Sequence, residues 1–384
     1  MKGFRNCNVY VYNKGIVNCS LGFEDGIIKY IGDDQNMITE PIEIAKNAVI
    51  LPGFIDQHVH GAAGSDAMDG TKEALKTIAN SLATEGTTSF LATTMTQSKS
   101  NITSALTAVK DYIASSPEDG ARLLGVHLEG PFISEKHVGA QPIEYLDNPS
   151  KETFLSYQKA SGDNIKIVSL APESEGADQL IELLSSLGVV ASVGHSDAGV
   201  ECIENAIKFG LKSVTHTFNA QRGVHHREIG VAGSALLFDE LYAEAICDTI
   251  HLSIPAIKLL IKNKPHDKVI LITDAMRAKN LSDGISELGG QKVIVKNGEA
   301  RLENGALAGS VLRMNDAIKN LVTKCGIDFI SAVDFATVNP AKNLGIFDKT
   351  GSIEVGKFAD FAVLDNDFKV ISSIRGGKVV FSIS

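Results

Sequence analysis

Histidine and carboxylate side chains recur in this sequence where apolar segments end. Four of the ten histidines, His58, His60, His195 and His216, lie at or just beyond the ends of such segments, and Glu129 ends another. Imidazole nitrogens and carboxylate oxygens are ligands of Zn²⁺, Fe²⁺ and related divalent ions. Because such an ion lowers the pKa of a coordinated water to about 7, these residue types predict a hydrolytic metal centre.

The spacing divides these residues into two groups. Residues i and i+2 of a strand point to the same side, so His58 and His60 can face one ion together. Glu129, His195 and His216 come from three separate segments and could converge on a second position. An isolated His-x-His favours a surface or core pair, and a lone buried histidine is usually a satisfied core residue. The repeated position of these residues at segment ends favours metal binding instead. The sequence therefore predicts one or two divalent ions, Zn²⁺ or Fe²⁺.

Asp274 ends a further apolar segment and is the candidate for proton transfer. A carboxylate beside an activated water can accept its proton and later return that proton to a leaving group. Taken alone, Asp274 could instead cap a following helix. Its catalytic assignment therefore depends on the ligand residues around it.

A competing motif lies at residues 194–198, Gly-His-Ser-Asp-Ala. It resembles the G-x-S-x-G nucleophile elbow, in which Ser196 would attack the substrate and Asp274 or another acid would orient a later histidine. Alanine replaces the last glycine, and no Asp and His follow in the order that this fold uses. The serine-hydrolase hypothesis also leaves the predicted metal ligands without a role.

Eight apolar, strand-like segments between Phe54 and Thr273 carry these side chains: FIDQHVH, TSFLATT, RLLGVHL, IKIVSLA, VVASVG, LKSVTHT, AEAIC and KVILIT. Near-continuous apolar strands that alternate with helices are typical of a parallel sheet covered on both faces. Eight βα units over ~250 residues match a TIM barrel, whose active site lies at the C-terminal ends of the strands. The sequence thus predicts an α/β fold with a TIM-like (β/α)8 barrel, and a doubly wound sheet is the alternative.

Helical periodicity separates several of these segments. Apolar residues recur at +3 and +4 spacing within residues 71–84 and 100–113, and the same logic predicts helices over 177–187 and 199–209. The two ends of the chain instead contain short strands with turn signals between them. Neither end is long enough for a stable sheet alone. We therefore predict that residues 1–51 and 346–384 pair into one small β-sandwich domain beside a barrel of residues 52–345.

Composition narrows the classes of function. The chain has 384 residues and a formal net charge of −10, which disfavours nucleic-acid binding. An anionic substrate would need a local cluster of cations. No apolar stretch has the length of a membrane helix and no signal peptide is evident, so the sequence predicts a cytoplasmic protein without a membrane partner. The five irregularly spaced cysteines predict reduced thiols.

Sequence motifs carry a resemblance to a known family. PGFIDQHVHG at 52–61 and the tail at 339–365 are similar to segments shared widely by amidohydrolases. More specific motifs resemble, in order, the N-acetylglucosamine-6-phosphate deacetylases: HLEGPF, VGHSDA, THTFNA, HHREIG, TDAM and LAGS. The resemblance covers about residues 20 to 370. It implies a TIM-like barrel with a small β-sandwich made from both termini, and hydrolysis of the acetamide of N-acetylglucosamine 6-phosphate in amino-sugar metabolism.

Carried over by motif position, the resemblance assigns roles to residues of this chain. Glu129, His195 and His216 match metal ligands, Asp274 matches the catalytic aspartate, and His58 and His60 match the pair of members that hold a second ion. Some members lack that pair and work with one ion. The substrate site would be lined by Ala140, Gln141, Asn219, Ala220, Arg227, His251, Leu307, Ala308 and Gly309.

The resemblance also implies an oligomeric state, and the sequence departs from the family motif at one residue of the substrate site. In the family the arginine at the position of Arg227 can reach the neighbouring subunit's site, so a homodimer is expected. Many members have histidine where Gln141 stands, which leaves the reaction class intact and changes fine contacts.

Three other functions are open from the sequence. The first is another metal-dependent amidohydrolase, acting on a different acylated amine such as a galactosamine phosphate or an N-acyl amino acid. The second is the serine hydrolase at Ser196. The third is a non-catalytic binding protein on this scaffold, against which the intact metal-ligand set and Asp274 argue.

Overall fold

The computed structural model describes residues 1–45 and 47–383, and over these residues the chain forms 21 strands and ten α-helices. The strands are β1 (Lys2–Val11), β2 (Gly15–Glu24), β3 (Ile27–Gly32), β4 (Glu40–Pro41), β5 (Val49–Pro52), β6 (Phe54–Val59), β7 (Gly61–Ala62), β8 (Ser65–Asp66), β9 (Thr87–Thr93), β10 (Arg122–Glu129), β11 (Ile165–Leu170), β12 (Val190–Val193), β13 (Leu211–Val214), β14 (Tyr242–Ile246), β15 (Val269–Ile272), β16 (Gly284–Leu288), β17 (Gln291–Lys296), β18 (Glu299–Leu302), β19 (Phe361–Leu364), β20 (Val370–Arg375) and β21 (Lys378–Ser382). The helices are α1 (Lys72–Ala83), α2 (Lys99–Ala114), α3 (Lys151–Ala160), α4 (Ala177–Ser186), α5 (Val200–Phe209), α6 (Gly230–Leu237), α7 (Ile254–Asn263), α8 (Met314–Thr323), α9 (Phe329–Phe335) and α10 (Val338–Asn343).

Eight parallel strands of the central region form a nearly closed barrel. They follow the order β6-β9-β10-β11-β12-β13-β14-β15, and each of them corresponds to one predicted segment. At the remaining seam Asp274 donates its backbone N–H to the carbonyl of His58 (2.9 Å), and His60 donates to the carbonyl of Ala275 (2.8 Å). The buried Asp56 carboxylate also accepts the hydroxyl of Thr273 across this seam (2.5 Å). The barrel prediction is confirmed, and the doubly wound alternative is wrong.

The four predicted helices correspond to α1, α2, α4 and α5, with ends displaced by no more than one residue. Helix α1 illustrates the local causes. The Thr71 hydroxyl accepts the backbone N–H of Ala74 (3.1 Å) and so caps the first turn. Leu75, Ile78 and Leu82, at +3 and +4 spacing, are each at most 1% exposed and pack on the outside of the barrel.

The two chain ends share one eight-stranded mixed sheet. Its order is β21-β20-β19-β5-β1-β2-β3, with β4 pairing in parallel on β1. The join between the ends is antiparallel, and Phe361 of β19 pairs with Pro52 of β5. The predicted pairing of the termini is confirmed, while the domain limits 1–51, 52–345 and 346–384 stay a prediction.

A small antiparallel sheet, β16-β17-β18, follows the last barrel strand and was not predicted. One face carries Leu288, Val293 and Val295, which pack against Met95 and Met276 at the C-terminal end of the barrel. The opposite face is exposed. This sheet therefore forms one wall above the barrel mouth.

Among residues 1–45 and 47–383, we find no helix with the length and apolar character that a bilayer crossing requires. All five cysteines are free thiols, as predicted.

Candidate metal and substrate site

The barrel strands end in strained backbone where the candidate site lies. His195, His216 and Asp274 each stand two residues beyond a strand, with φ of 50°, 29° and 49°. Non-glycine residues adopt this left-handed region rarely and at a cost of about 1–3 kcal/mol, and such residues cluster at functional sites. Here the reversal of each strand end brings its side chain over the barrel axis, next to Glu129 or His60.

The carboxylate of Glu129, the last residue of β10, lies at the centre of the predicted ligands. Its Oε1 is 3.2 Å from His195 Nε2, 3.0 Å from His216 Nε2 and 3.4 Å from His58 Nε2. Its Oε2 is 3.3 Å from His60 Nε2. The structure therefore brings all four predicted histidine ligands around one carboxylate. The two oxygens of this carboxylate can serve two metal positions.

Two buried sets have the composition and spacing of metal sites. One comprises Glu129, His195 and His216, and the other comprises His58, His60 and Asp274; within each set the ligand atoms lie within 4.8 Å of one another. His195 Nε2 and His216 Nε2 face each other at 3.1 Å. His58 Nε2 is buried without a hydrogen-bond partner. Nitrogen atoms that converge in this way on carboxylate oxygens fit the ligand preferences of a divalent cation.

The far nitrogens of two of these rings have fixed partners. His195 Nδ1 lies 2.8 Å from the carbonyl oxygen of His137, and His58 Nδ1 lies 3.1 Å from Glu244 Oε2. Hydrogen bonds of this kind set the tautomer and the ring orientation of metal-ligating histidines. In both residues Nε2 is thereby left to face Glu129, and of the two only His195 lines the cleft.

A third group, His58, His127 and Glu244, also has metal-like composition. His127 is already satisfied, because Nδ1 lies 3.2 Å from the carbonyl oxygen of Gln57 and Nε2 lies 2.7 Å from the hydroxyl of Ser169. Burial, together with the neighbouring His58, lowers the pKa of His127 to about 3. His127 is therefore a neutral, hydrogen-bonded residue of the barrel interior.

Electrostatics within the site couple the histidines to the carboxylates. Burial alone would lower the pKa of His58, but Glu129, Asp274 and Glu244 raise it to about 9. Burial would raise the pKa of Glu129, and the surrounding histidines lower it well below its ordinary value instead. The pKa of Asp274 is likewise lowered by His58 and His60 against the effect of burial. Both carboxylates are ionised at neutral pH and attract cations.

Asp274 is the ligand-set residue best placed to exchange a proton with a bound molecule. Its Oδ1 lies 3.2 Å from His60 Nε2 and 3.5 Å from His58 Nε2, and its side chain is 12% exposed, toward the cleft. Its backbone carbonyl accepts the N–H of Ser310 (2.7 Å), which anchors the strand end behind it.

A cleft of about 230 Å³ opens onto the two ligand sets. Seven of the nine predicted substrate-site residues line it: Ala140, Gln141, Asn219, Ala220, His251, Leu307 and Gly309. Ala308 is buried behind this lining, where its N–H bonds to the carbonyl of Ala300 (3.0 Å). Arg227 does not line the cleft; its side chain is exposed and donates to His226 (2.7 Å).

Gln141 is the residue at which the sequence departs from the motif that it resembles. Its Oε1 accepts the backbone N–H of Thr96 (2.7 Å), so its Nε2 must donate, and Nε2 bonds Glu129 Oε2 at 2.8 Å. Gln141 therefore orients the central carboxylate as well as lining the cleft.

His251 lines the cleft, and hydrogen bonds to Asp248 fix its backbone and its ring. Asp248 Oδ1 accepts the backbone N–H groups of Ile250 and His251 (both 2.8 Å), and Oδ2 lies 2.6 Å from His251 Nδ1. His251 Nε2 is the ring nitrogen that remains for a ligand.

The geometry gives no support to a Ser196 nucleophile. The hydroxyl of Ser196 donates to Glu173 (2.7 Å), and among the described residues no histidine nitrogen lies within hydrogen-bond distance of it.

Several lining or supporting residues were not predicted. Leu288 and Ala306 come from the inserted sheet region, and Met95 and Gly139 from loops after barrel strands. Glu244 interrupts the apolar segment AEAIC, and a charged residue inside a fully buried strand was a signal that could have identified it.

Comparisons with known proteins agree with this geometry. A profile of the amidohydrolase family matches residues 49–380. The chain is 42% identical over 373 residues to the N-acetylglucosamine-6-phosphate deacetylase of Bacillus subtilis (strain 168). This alignment covers 96% of this chain and 94% of that protein. The chain is 34% identical to the N-acetylgalactosamine-6-phosphate deacetylase of Escherichia coli O157:H7 over 351 residues, 91% of each chain. The structure of a mutant N-acetyl-D-glucosamine-6-phosphate deacetylase from Mycobacterium smegmatis, in complex with N-acetyl-D-glucosamine-6-phosphate, superposes with a TM-score of 0.90 at 27% identity and covers 99% of each chain.

Proposed function

Because this chain belongs to the amidohydrolase family, we propose that its barrel site hydrolyses the acetamide of N-acetylglucosamine 6-phosphate to glucosamine 6-phosphate and acetate. The observation that carries the proposal is the convergence of two histidine–carboxylate sets on Glu129 at the floor of the cleft. The likeness to the Bacillus subtilis deacetylase over nearly the whole chain supports the choice of substrate.

The residues present fit one or two divalent cations. Glu129, His195 and His216 would hold one, and His58, His60 and Asp274, with Glu129 between the sets, would hold another. We propose Zn²⁺ or Fe²⁺ because both accept imidazole and carboxylate ligands. When bound, such a cation supplies Lewis acidity toward a carbonyl oxygen and acidifies water.

Asp274 carries the proton transfers in this proposal. Its carboxylate accepts a proton from the water that attacks the acetyl carbonyl carbon, and returns that proton to the amine nitrogen as the C–N bond breaks. Its lowered pKa keeps it available as a base at neutral pH. His251 Nε2 and Asn219, which line the same cleft, supply polar groups to the sugar or to its phosphate.

Binding of the phosphate favours a cationic side chain, and among residues 1–45 and 47–383 no lysine or arginine lines the cleft. We propose that Arg227 supplies it across a homodimer interface. Residues 223–227, which include Arg227, are all exposed, and a guanidinium pairs with phosphate oxygens through two parallel hydrogen bonds.

N-acetylgalactosamine 6-phosphate is the second candidate substrate, because a relative at 34% identity is named for it. The two sugars differ only in the configuration at C4. A direct comparison of the two as substrates decides between them.

The test is acetate release from both phosphorylated sugars and from unphosphorylated N-acetylglucosamine, before chelation, after chelation and after return of Zn²⁺ or Fe²⁺. We expect chelator-sensitive release that is fastest with N-acetylglucosamine 6-phosphate. Release that survives thorough chelation would overturn the metal-dependent reaction. Release from none of the three sugars after metal return would overturn the substrate assignment.

A further inference from the structure

Glu244 is a fully buried carboxylate directly below the metal-ligand sets. It is the central residue of β14, and it belongs to neither of the two sets that face the cleft. Its Oε2 lies 3.1 Å from His58 Nδ1. A buried carboxylate is costly to retain unless several donors satisfy it, so its partners indicate what it does.

A chain of hydrogen bonds fixes the orientation of the side-chain amide that donates to Glu244. Asn343 Nδ2 donates to Gln57 Oε1 (3.1 Å), which orients that amide so that Gln57 Nε2 donates to Glu244 Oε1 at 2.7 Å. Asn343 is itself oriented, because its Oδ1 accepts the hydroxyl of Ser213 (3.1 Å). Gln57 thus holds Glu244 as an acceptor from outside the ligand sets. The backbone N–H of His216 also donates to Glu244 Oε2 (3.2 Å), but this contact leaves the ring of His216 free to turn.

An acceptor at Glu244 determines the state of His58. Since Glu244 Oε2 accepts, Nδ1 of His58 keeps its proton. When the ring becomes neutral, as a metal ligand must, Nε2 is therefore the nitrogen that carries the lone pair. Nε2 is buried without a hydrogen-bond partner and faces Glu129 Oε1 at 3.4 Å and Asp274 Oδ1 at 3.5 Å. An imidazole lone pair directed at two carboxylate oxygens is the arrangement that a shared cation satisfies.

His60, the other histidine of this set, has no equivalent support. Its Nδ1 is buried without a partner. The orientation of the second ligand set therefore depends mainly on the contact between His58 and Glu244. In the first set, His195 is oriented independently by the carbonyl oxygen of His137.

We propose that Glu244 is a positioning residue for His58 and that, through this contact, it enables the chain to hold two divalent ions rather than one. The inference rests on the proposed metal-dependent function, and it adds the residue that determines the number of ions. Partners of this kind typically change metal affinity about 10- to 100-fold.

The experiment measures metal binding on the full-length protein. Chelated wild type, Glu244→Gln and Glu244→Asp are titrated with Zn²⁺ in competition with a chromophoric chelator, and bound metal is counted by elemental analysis. Glutamine preserves the size of the side chain, but it cannot offer acceptors to His58, Gln57 and the backbone N–H of His216 (3.2 Å from Oε2) at once. Glu85→Gln is the matched control, because Glu85, in the turn between α1 and β9, is also fully buried and bonds Lys279 rather than a ligand histidine.

We expect two bound ions in wild type and in Glu85→Gln. In Glu244→Gln the second ion should bind about 10- to 100-fold more weakly while the first stays within a few-fold of wild type, and Glu244→Asp should recover part of the loss. After loading with Mn²⁺, electron paramagnetic resonance should show a spin-coupled pair in wild type and an isolated ion in Glu244→Gln. Circular dichroism and thermal melting establish that each variant is folded.

Three results would overturn the inference: Glu244→Gln binding both ions as wild type does, Glu244→Gln losing both ions equally while folded, or wild type never binding more than one ion. These results are separate from the proposed activity. A wild type that holds two ions and releases no acetate would refute the proposed function and leave the role of Glu244 standing.

Discussion

Asp274 combines a lowered pKa with access to the cleft, and this combination defines its expected behaviour on mutation. Asp274→Asn removes the base but preserves the size of the side chain. We expect kcat to fall about 10²- to 10⁴-fold, the range typical of a lost general acid–base residue. Steady-state acetate release, with bound metal counted on the same samples, checks this prediction.

The first ion provides the control for that variant. Glu129, His195 and His216 are untouched by the substitution, so at least one ion should remain bound. Near-normal turnover with metal retained would remove Asp274 from the proton-transfer role.

Asp248 orients His251, which lines the cleft. Asparagine at this position retains one oxygen for the backbone N–H groups of Ile250 and His251, but its amide N–H would face His251 Nδ1 in place of Oδ2. The ring must then accept at Nδ1, which reverses the tautomer presented to the cleft at Nε2. We predict that Asp248→Asn raises KM about 10-fold or more, the loss that follows when a charge-assisted hydrogen bond to substrate is disrupted. Kinetics with metal-saturated enzyme, alongside Asp248→Ala, test it; an unchanged KM in both variants would contradict it.

The sequence was sufficient to locate the polar residues at the ends of apolar segments. It was not sufficient to locate the polar residues inside strands, whose role depends on their neighbours in the barrel interior. Glu129, His195 and Asp274 interrupt or end apolar segments, and parallel strands bring such positions to one end of a barrel. Gln57 and Glu244 lie inside strands, where the sequence does not reveal which barrel-interior neighbours they meet. The hydrogen bond between them joins β6 to β14 across a sequence separation of 187 residues, and a pairing at that separation depends on closure of the whole barrel.

At the level of elements, the barrel strands were recognisable because burial on both faces leaves long apolar runs. The inserted sheet β16–β18 was not recognised, although Gly289-Gly290 and Asn297-Gly298 are hairpin turn signals between alternating residues. Strand β20, with buried and partly exposed residues mixed, gave a weaker pattern and was also missed. Short strands outside the repeating βα units are stabilised by their packing against the barrel. The local sequence pattern carries no information about that packing.

The inserted sheet predicts a different effect for each of its faces. Leu288 is 2% exposed, lines the cleft and packs in a cluster with Met95 and Met276. Leu288→Ala should lower the free energy of unfolding by about 2–5 kcal/mol, the usual cost of a buried cavity, and should raise KM because the cleft loses part of a wall. Urea denaturation and acetate-release kinetics measure the two effects.

Ile285 on the same strand is the matched control, since its side chain is 76% exposed. Ile285→Ala should change stability by no more than about 0.5 kcal/mol and leave KM unchanged. Equal effects of the two substitutions would show that the sheet does not wall the cleft in the way the structure indicates.

For the whole molecule, charge is the dominant constraint on binding a sugar phosphate. The chain has a net charge of −10, and near the site Lys136 and Arg222 are already paired with Asp197 at 2.7 and 2.8 Å. These cations lower the pKa of Asp197 and are correspondingly less available to a ligand. Arg227, exposed and bonded to a neighbouring histidine, is the guanidinium that a second subunit could use.

A complementation experiment decides whether Arg227 serves its own subunit or its neighbour. Arg227→Ala alone should raise KM for the phosphorylated sugar far more than for the unphosphorylated one. If the chain forms the proposed homodimer, coexpression of Arg227→Ala with Asp274→Asn chains yields mixed dimers. If Arg227 then acts across the interface, one site of each mixed dimer has an intact Asp274 and an intact arginine from its partner. Random pairing then restores about one quarter of wild-type activity at low substrate concentration, because half of the dimers are mixed and each has one complete site. If Arg227 acts within its own subunit, every site lacks one of the two residues, and the mixture stays as inactive as its components.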